Sequence, residues 1–378
     1  MATHKNLLNT VIFVIIMTFA FTACKRTDWK PGTPMSKDKL KIGVVHISNP
    51  FTEKSGYAYT HETGIQEMKK KLNLADNQLI YKTDIDDADP IQAENAMREL
   101  IAQKVNVIIA TSWKYMDVCE KLAAEFPSVI FAHASGIKNN DTNFTNYFGR
   151  VYQARYLSGI AAGAQTETGK IGYVAAMGKD NSEVTGGINA FALGVEKVNP
   201  GAQIYVKVTY SWFDPIGEAS AARELIAEGC DIIAQHCDTP TPQIEAEKAG
   251  VWGIGYNSDM TSDAPAAVLT SVIWRWGVYY TALAESIVNG TFTSVPWFGS
   301  LKDGIVGLSP FNKNTRWKTD VLLTIKEESD RIESGAHDVF FGVMETNDGR
   351  RIGKTGKNLS DNEIRSGINW YYRTVTEM

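Results

Sequence analysis

The sequence predicts an α/β protein of two doubly wound parallel-sheet lobes joined by a hinge. Three observations carry this. From residue 40 onward, short β-rich apolar runs alternate with helical stretches across short connections, the order that builds parallel sheets. The rhythm restarts after residue 150, where Lys170-Ile171-Gly172-Tyr173-Val174 echoes Lys41-Ile42-Gly43-Val44-Val45. Finally, roughly 340 residues follow the N-terminal leader and tether, more than one small core accommodates.

In the first half, strands are expected at 40–46, 79–83, 105–111 and 129–133. Helices are expected at 56–72, 91–103 and 119–126. In the second half, helices at 153–166, 182–198, 217–228 and 242–249 alternate with strands at 170–175, 204–210, 231–235, 252–256 and 268–273. The 279–289 helix is placed to cross back to the first lobe. The tail from Pro310 shows one charged helix, at 319–334, and a turn at Asn347-Asp348-Gly349. These assignments give a first lobe of 40–149 with 276–292, and a second of 150–275 with 293–378.

The N-terminus reads as an export signal. Lys5 precedes an apolar run over 7–21, too short to span a bilayer as a helix. Phe21-Thr22-Ala23-Cys24 resembles the bacterial lipobox, in which the cysteine is acylated and becomes the mature N-terminus. The expectation is a signal peptide over 1–23, Cys24 as lipid anchor, and a polar tether over 24–39 containing Pro31, Gly32 and Pro34. Each buried methylene contributes about 0.8 kcal/mol, so several acyl chains anchor firmly where one does not. The protein is therefore expected at a cell membrane, facing the periplasm or the exterior.

The formal net charge is -5, with no basic stripe, which argues against nucleic-acid binding. Cys230 and Cys237 flank one strand and should stand about 20 Å apart, too far for a disulfide. Cys119, Cys230 and Cys237 are expected as free thiols. The chain shows no nucleophile elbow, zinc-protease motif, P-loop or paired-cysteine motif. His46, His133 and His236 fall near strand ends but read as hydrogen-bonded cleft or core residues. Asp86, Asp87 and Asp89 read as charges at a helix N-terminus. No metal and no cofactor are expected.

Ligands of doubly wound sheets bind beyond the carboxyl ends of the strands. There the sequence concentrates rings with Asp and Asn beside them. They are Asn49 and Tyr57, Trp113, Trp212, Asp238, Asn257 and Asp259, and Trp274. Rings cover the faces of a flat heteroaromatic ligand, and Asp and Asn read its polar edge.

These segments resemble the bacterial basic membrane protein (Bmp) family of substrate-binding lipoproteins, the purine-nucleoside-binding group of ABC transporters. The resemblance rests on Gly56-Tyr57-Ala58-Tyr59-Thr60-His61, Ala110-Thr111-Ser112-Trp113, Ala132-His133-Ala134-Ser135-Gly136, Trp212-Phe213-Asp214-Pro215, Gln235-His236-Cys237-Asp238, Asn257-Ser258-Asp259-Met260 and Trp276-Gly277-Val278-Tyr279-Tyr280. It implies a type I periplasmic binding fold, monomeric, delivering ligand to a permease with a cytoplasmic ATPase. It further implies that Tyr57 and Trp212 sandwich a base. Asn257 matches a ligand-reading Asp of the family, and Trp274 takes the place of a ligand-contacting Lys. These differences point to a nucleobase such as adenine, with Asp238 at the purine edge and Trp113 and Trp274 closing the pocket. Two other classes stay open: a surface or signalling lipoprotein that senses the same ligands without transport, and a nucleoside-processing enzyme.

Overall fold

The computed structural model describes residues 29–318 and 320–378; the leader, Cys24 and the first tether residues lie outside them. Among the described residues no helix is long and apolar enough to cross a membrane. The first half runs β1 (Ile42–Val45), α1 (Tyr57–Leu72), β2 (Leu79–Lys82), α2 (Pro90–Ala102), β3 (Val107–Ala110), α3 (Met116–Glu125), β4 (Ile130–Ala134) and β5 (Phe144–Gly149). The second runs α4 (Val151–Gln165), β6 (Lys170–Ala175), α5 (Ser182–Val198), β7 (Gln203–Val208), α6 (Pro215–Ala227), β8 (Ile232–His236), α7 (Thr241–Ala249), β9 (Trp252–Asn257) and β10 (Val268–Trp274). The remainder comprises α8 (Gly277–Asn289), β11 (Trp297–Gly299), β12 (Val306–Leu308), α9 (Val321–Glu333), β13 (Phe341–Glu345), β14 (Arg351–Asn358), α10 (Asp361–Ser366) and β15 (Val375–Glu377).

The first sheet has the order β11-β5-β4-β3-β1-β2 and the second β12-β10-β9-β8-β6-β7-β15. Within them every pairing is parallel except β12 on β10. The inner strands β1, β3, β4 and β5 are buried at every position, as expected where helices cover both faces. The chain passes between the sheets after β5, after β10 and between β11 and β12. Residues 293–299, expected with the second lobe, lead into β11, which pairs Trp297 with Tyr147 of β5 in the first sheet. Three residues after a proline carry no periodicity that reveals such a strand. The tail is also richer than expected: Asn347-Asp348-Gly349 turns the β13–β14 hairpin, and α10 and β15 follow.

The two lobes share a repeat plainer than Lys-Ile-Gly. Asp-Pro-Ile, then Ala five positions on, then Arg-Glu-Leu-Ile-Ala, occurs at 89–102 and again at 214–227. Asp89 and Asp214 cap α2 and α6 by accepting backbone N–H bonds, and a proline opens each helix. The packing repeats too. A Cβ on Gly43 would lie 2.9 Å from Leu100, and one on Gly172 would lie 2.9 Å from Leu225. Each strand therefore lets its helix approach closely enough to seat a leucine on the sheet.

Cys119, Cys230 and Cys237 are buried free thiols. In the second lobe, α4 is buried at all but one position and lies against α5 across glycines. A Cβ on Gly159 would fall 2.1 Å from the Phe191 carbonyl oxygen, and one on Gly194 2.0 Å from that of Tyr156. Backbone cannot yield as a flexible side chain does, so a methyl there pushes the helices apart. Gly159→Ala should destabilise the protein by about 1–3 kcal/mol, read as a lower urea midpoint at unchanged slope.

Candidate functional site

Between the carboxyl ends of the two sheets lies a cavity of about 410 Å³. Tyr57 and Trp113 reach it from the first lobe, and Trp212, Asp238, Glu183 and Tyr256 from the second. A larger hollow, about 1030 Å³, sits at the opposite edge of the first sheet, against Phe126, Pro127, Phe292 and Pro296. None of the strand-end rings reaches that hollow.

Tyr57 is the first residue of α1. Its ring meets His61 edge-on at 4.4 Å, and His61 in turn stacks on Trp276 at 4.3 Å. A wall of buried rings thus fixes Tyr57 from behind. Trp212 follows β7 and lies edge-on to His236, 6.0 Å away. Its carbonyl accepts the Asp238 N–H at 2.8 Å, so the ring and the carboxyl share one rigid turn. Trp113, 47% exposed, stands at the mouth.

Asp238 Oδ1 accepts from Asn257 Nδ2 at 2.8 Å, leaving Oδ2 for the cavity. Burial pushes its pKa up to about 8, since little positive charge compensates and Glu218, Glu183 and Glu53 oppose ionisation. Glu183, in the first turn of α5, is pushed by burial to about 7, and the buried Arg155 only partly offsets this. The Tyr256 hydroxyl donates to Glu183 Oε1 at 3.4 Å, and the Arg155 guanidinium lies 4.2 Å over the Tyr256 ring. Asp87 is tied to Ser112 Oγ at 2.5 Å and to Lys114 at 3.2 Å.

Four expected contacts stand outside the cavity wall. Asn49 turns its side chain to the Phe51 N–H of its own loop. Asp259 caps a short helical turn by accepting from Thr261. Asn257 is fully buried behind Asp238, with a left-handed backbone (φ 66°) that aims its amide at that carboxyl. Trp274 is core: it stacks on Trp276 at 4.4 Å and donates to the Tyr256 hydroxyl at 3.3 Å. Position past a strand end cannot separate a side chain that turns into the cleft from one that turns back under it. Conversely, Glu183 and Asn181 follow β6, where the same strand-end rule points, while Phe148 and Tyr256 lie within strands and carry no such signal.

The histidines do not converge. His46 contacts Glu62 at 3.3 Å, and His133 donates to the Ser112 carbonyl at 2.6 Å, its pKa lowered by burial to about 4. Among the described residues no group of three or more His, Cys, Asp or Glu side chains could hold a metal ion.

The raised pKa of Asp238 has a stability consequence. The folded protein keeps this proton up to about pH 8, whereas the unfolded chain releases it near the ordinary 3.8. Folding takes up a proton between those values, so the cost of burying Asp238 is absent below pH 4 and full above pH 8. Asp238→Asn should be about 1–3 kcal/mol more stable than wild type at pH 8 and equal to it at pH 4, measured by urea unfolding without ligand.

Comparison with known proteins agrees with this architecture. Residues 40–337 match the Bmp family, described as PnrA-like ABC transporter substrate-binding proteins. A purine-binding protein of Brucella abortus is 34% identical over 346 residues, covering 92% of this chain and 95% of its own. A Haloferax volcanii protein assigned as an ABC transporter glucose-binding protein is 32% identical over 82% of this chain and 78% of its own. Among solved structures, solute-binding proteins from Aeropyrum pernix and Conexibacter woesei superpose with TM-scores of 0.67 and 0.66 at 16% and 21% identity. They cover 87% and 79% of this chain, and 98% and 97% of their own, and show the same type I periplasmic fold. With its two lobes, its interlobe cavity and this match over most of its length, the chain belongs to the Bmp family of ABC transporter substrate-binding proteins.

Proposed function

We propose that the protein captures a purine, an adenine-like nucleobase or its nucleoside, between its lobes and delivers it to a membrane permease driven by an ATPase. The observation that carries this is the pairing of Tyr57 and Trp212 from opposite lobes, with the Asp238 carboxyl beside them in one cavity. Two rings cover the faces of a flat base, and stacking contributes about 1–3 kcal/mol per base. Asp238, kept as an acid at neutral pH, offers an O–H to a ring nitrogen, while Glu183 accepts from an amino group or ring N–H. The purine-binding Brucella relative supports the ligand class. Lipid on Cys24 would hold the receptor at the membrane near its permease, as the leader and lipobox pattern suggest.

Titration calorimetry with adenine, guanine, hypoxanthine, their nucleosides and glucose tests the ligand. At least one purine should bind well above glucose, and Trp212→Ala should weaken it about 10–100-fold. Silence across the purines, or binding of glucose alone, would sink the purine reading. The anchor is tested separately. In cells fed labelled palmitate, the wild type should carry label and pellet with membranes, whereas Cys24→Ser should lose both.

A further inference from the structure

The tail beyond residue 337 returns to the cleft. Helix α10 is capped by Ser360 and Glu363 and packs its Ile364 into the core of the second lobe, beside Ile368 and Trp370. From there Arg365 crosses to the first lobe. Its Nη2 donates to the Gly136 carbonyl at 2.5 Å and to Asn146 Oδ1 at 3.1 Å. Gly136 follows β4 and Asn146 lies on β5, so both acceptors belong to the first sheet.

The surroundings of Arg365 hold it there. Its guanidinium lies 5.3 Å over the Phe298 ring, and that of Arg150 lies 4.5 Å from the same ring. Arg150 sits where the chain first passes between lobes and forms a two-pronged ion pair with Asp361 of α10, at 2.6 and 2.8 Å. The Tyr152 hydroxyl and the Gln153 amide, on the same crossing, donate to Asp338 at 2.5 and 3.0 Å. Gln153 Oε1 accepts from the Leu301 N–H, on the third crossing, at 3.0 Å. The tail is therefore bonded to the first of the three interlobe connections, which Gln153 in turn links to the third. Its arginine also walls a compartment of about 420 Å³ that shares Trp113, Phe148 and Glu183 with the ring-lined cavity.

We infer that α10 is a latch: Arg365, seated on the second lobe and hydrogen-bonded to Gly136 and Asn146 of the first, holds the lobes closed and sets how fast ligand escapes. Opening separates the arginine from both acceptors, while ligand contacts at Tyr57, Trp212 and Asp238 are untouched by the substitution. The latch rests on the two-lobed closed cleft and stands whether or not the ligand is a purine. A closed-state bond of this kind alters the open–closed equilibrium by its differential strength in the two states, and so changes release more than encounter.

The test uses the full mature chain as wild type, Arg365→Ala and Asn146→Ala, with circular dichroism to establish that each is folded. Small-angle scattering without ligand reads lobe opening, and stopped-flow fluorescence with adenine as probe reads release. Arg365→Ala should enlarge the radius of gyration of the free protein and speed adenine release about tenfold, with association changed less than about threefold. Asn146→Ala should move both readouts the same way by less, because the Gly136 bond remains. Opening in scattering with no adenine binding in any protein would support the latch and overturn adenine as the ligand. Unchanged scattering overturns the latch, with or without faster release, since faster release alone would make Arg365 a ligand contact. Should Arg365→Ala fail to fold, Asn146→Ala and Arg365→Lys decide by the same two readouts.

Discussion

The cleft depends on one close approach between the lobes. Gly56, at φ 95°, opens α1, and a Cβ on it would lie 2.9 Å from the carbonyl oxygen of Asp238. Only glycine combines that backbone conformation with that clearance. The contact is also where three cavity-lining residues meet. Tyr57 is the next residue, the Asp238 carboxyl hangs from the touching backbone, and Trp212 accepts the Asp238 N–H. Any side chain at position 56 would hold the lobes apart at the point where Tyr57 and Trp212 line the cavity.

Behind this junction the two lobes are prepared differently. The first supports its tyrosine with packed rings: His61 on Trp276, and the Tyr147–Tyr280 hydroxyl pair at 2.9 Å. The second places a buried cation, Arg155, near Glu183. Arg155 donates to the Gln235 carbonyl at 2.7 Å, and among the described residues its Nε and other terminal nitrogen meet no acceptor. This guanidinium partly offsets the rise that burial imposes on the Glu183 carboxyl. The rigid half and the charged half meet only when the lobes close.

Most of the fold was legible because both of its periods are simple. β6 and α5 coincide with the expected segments, and most other expected elements match within a few residues, since fully buried strands leave apolar runs that turn residues punctuate. Segments such as β11, β12 and β15 were hidden, being three residues each and paired only through distant partners. The cleft was half legible. Tyr57, Trp113, Trp212 and Asp238 line it, whereas Asn49, Asn257, Asp259 and Trp274 do not, because a loop's side-chain direction is decided by tertiary bonds. Asn257 illustrates the reason: its left-handed backbone turns the amide under Asp238, a feature no spacing rule carries.

The repeated Asp-Pro helices have a further consequence. α2 and α6 keep the same cap, the same Arg-Glu-Leu-Ile-Ala end and the same leucine against a strand glycine. Yet the residue two places before the capping aspartate is Asp87 in one copy and Trp212 in the other, and both face the cavity. A receptor made of two identical halves would present its guest with two equivalent poses related by the pseudo-twofold axis. Divergence at these two loops removes that degeneracy: one side offers a charge, the other an indole plane. A guest thereby meets unlike surfaces on its two sides, and the equivalence that exact duplication would create is broken.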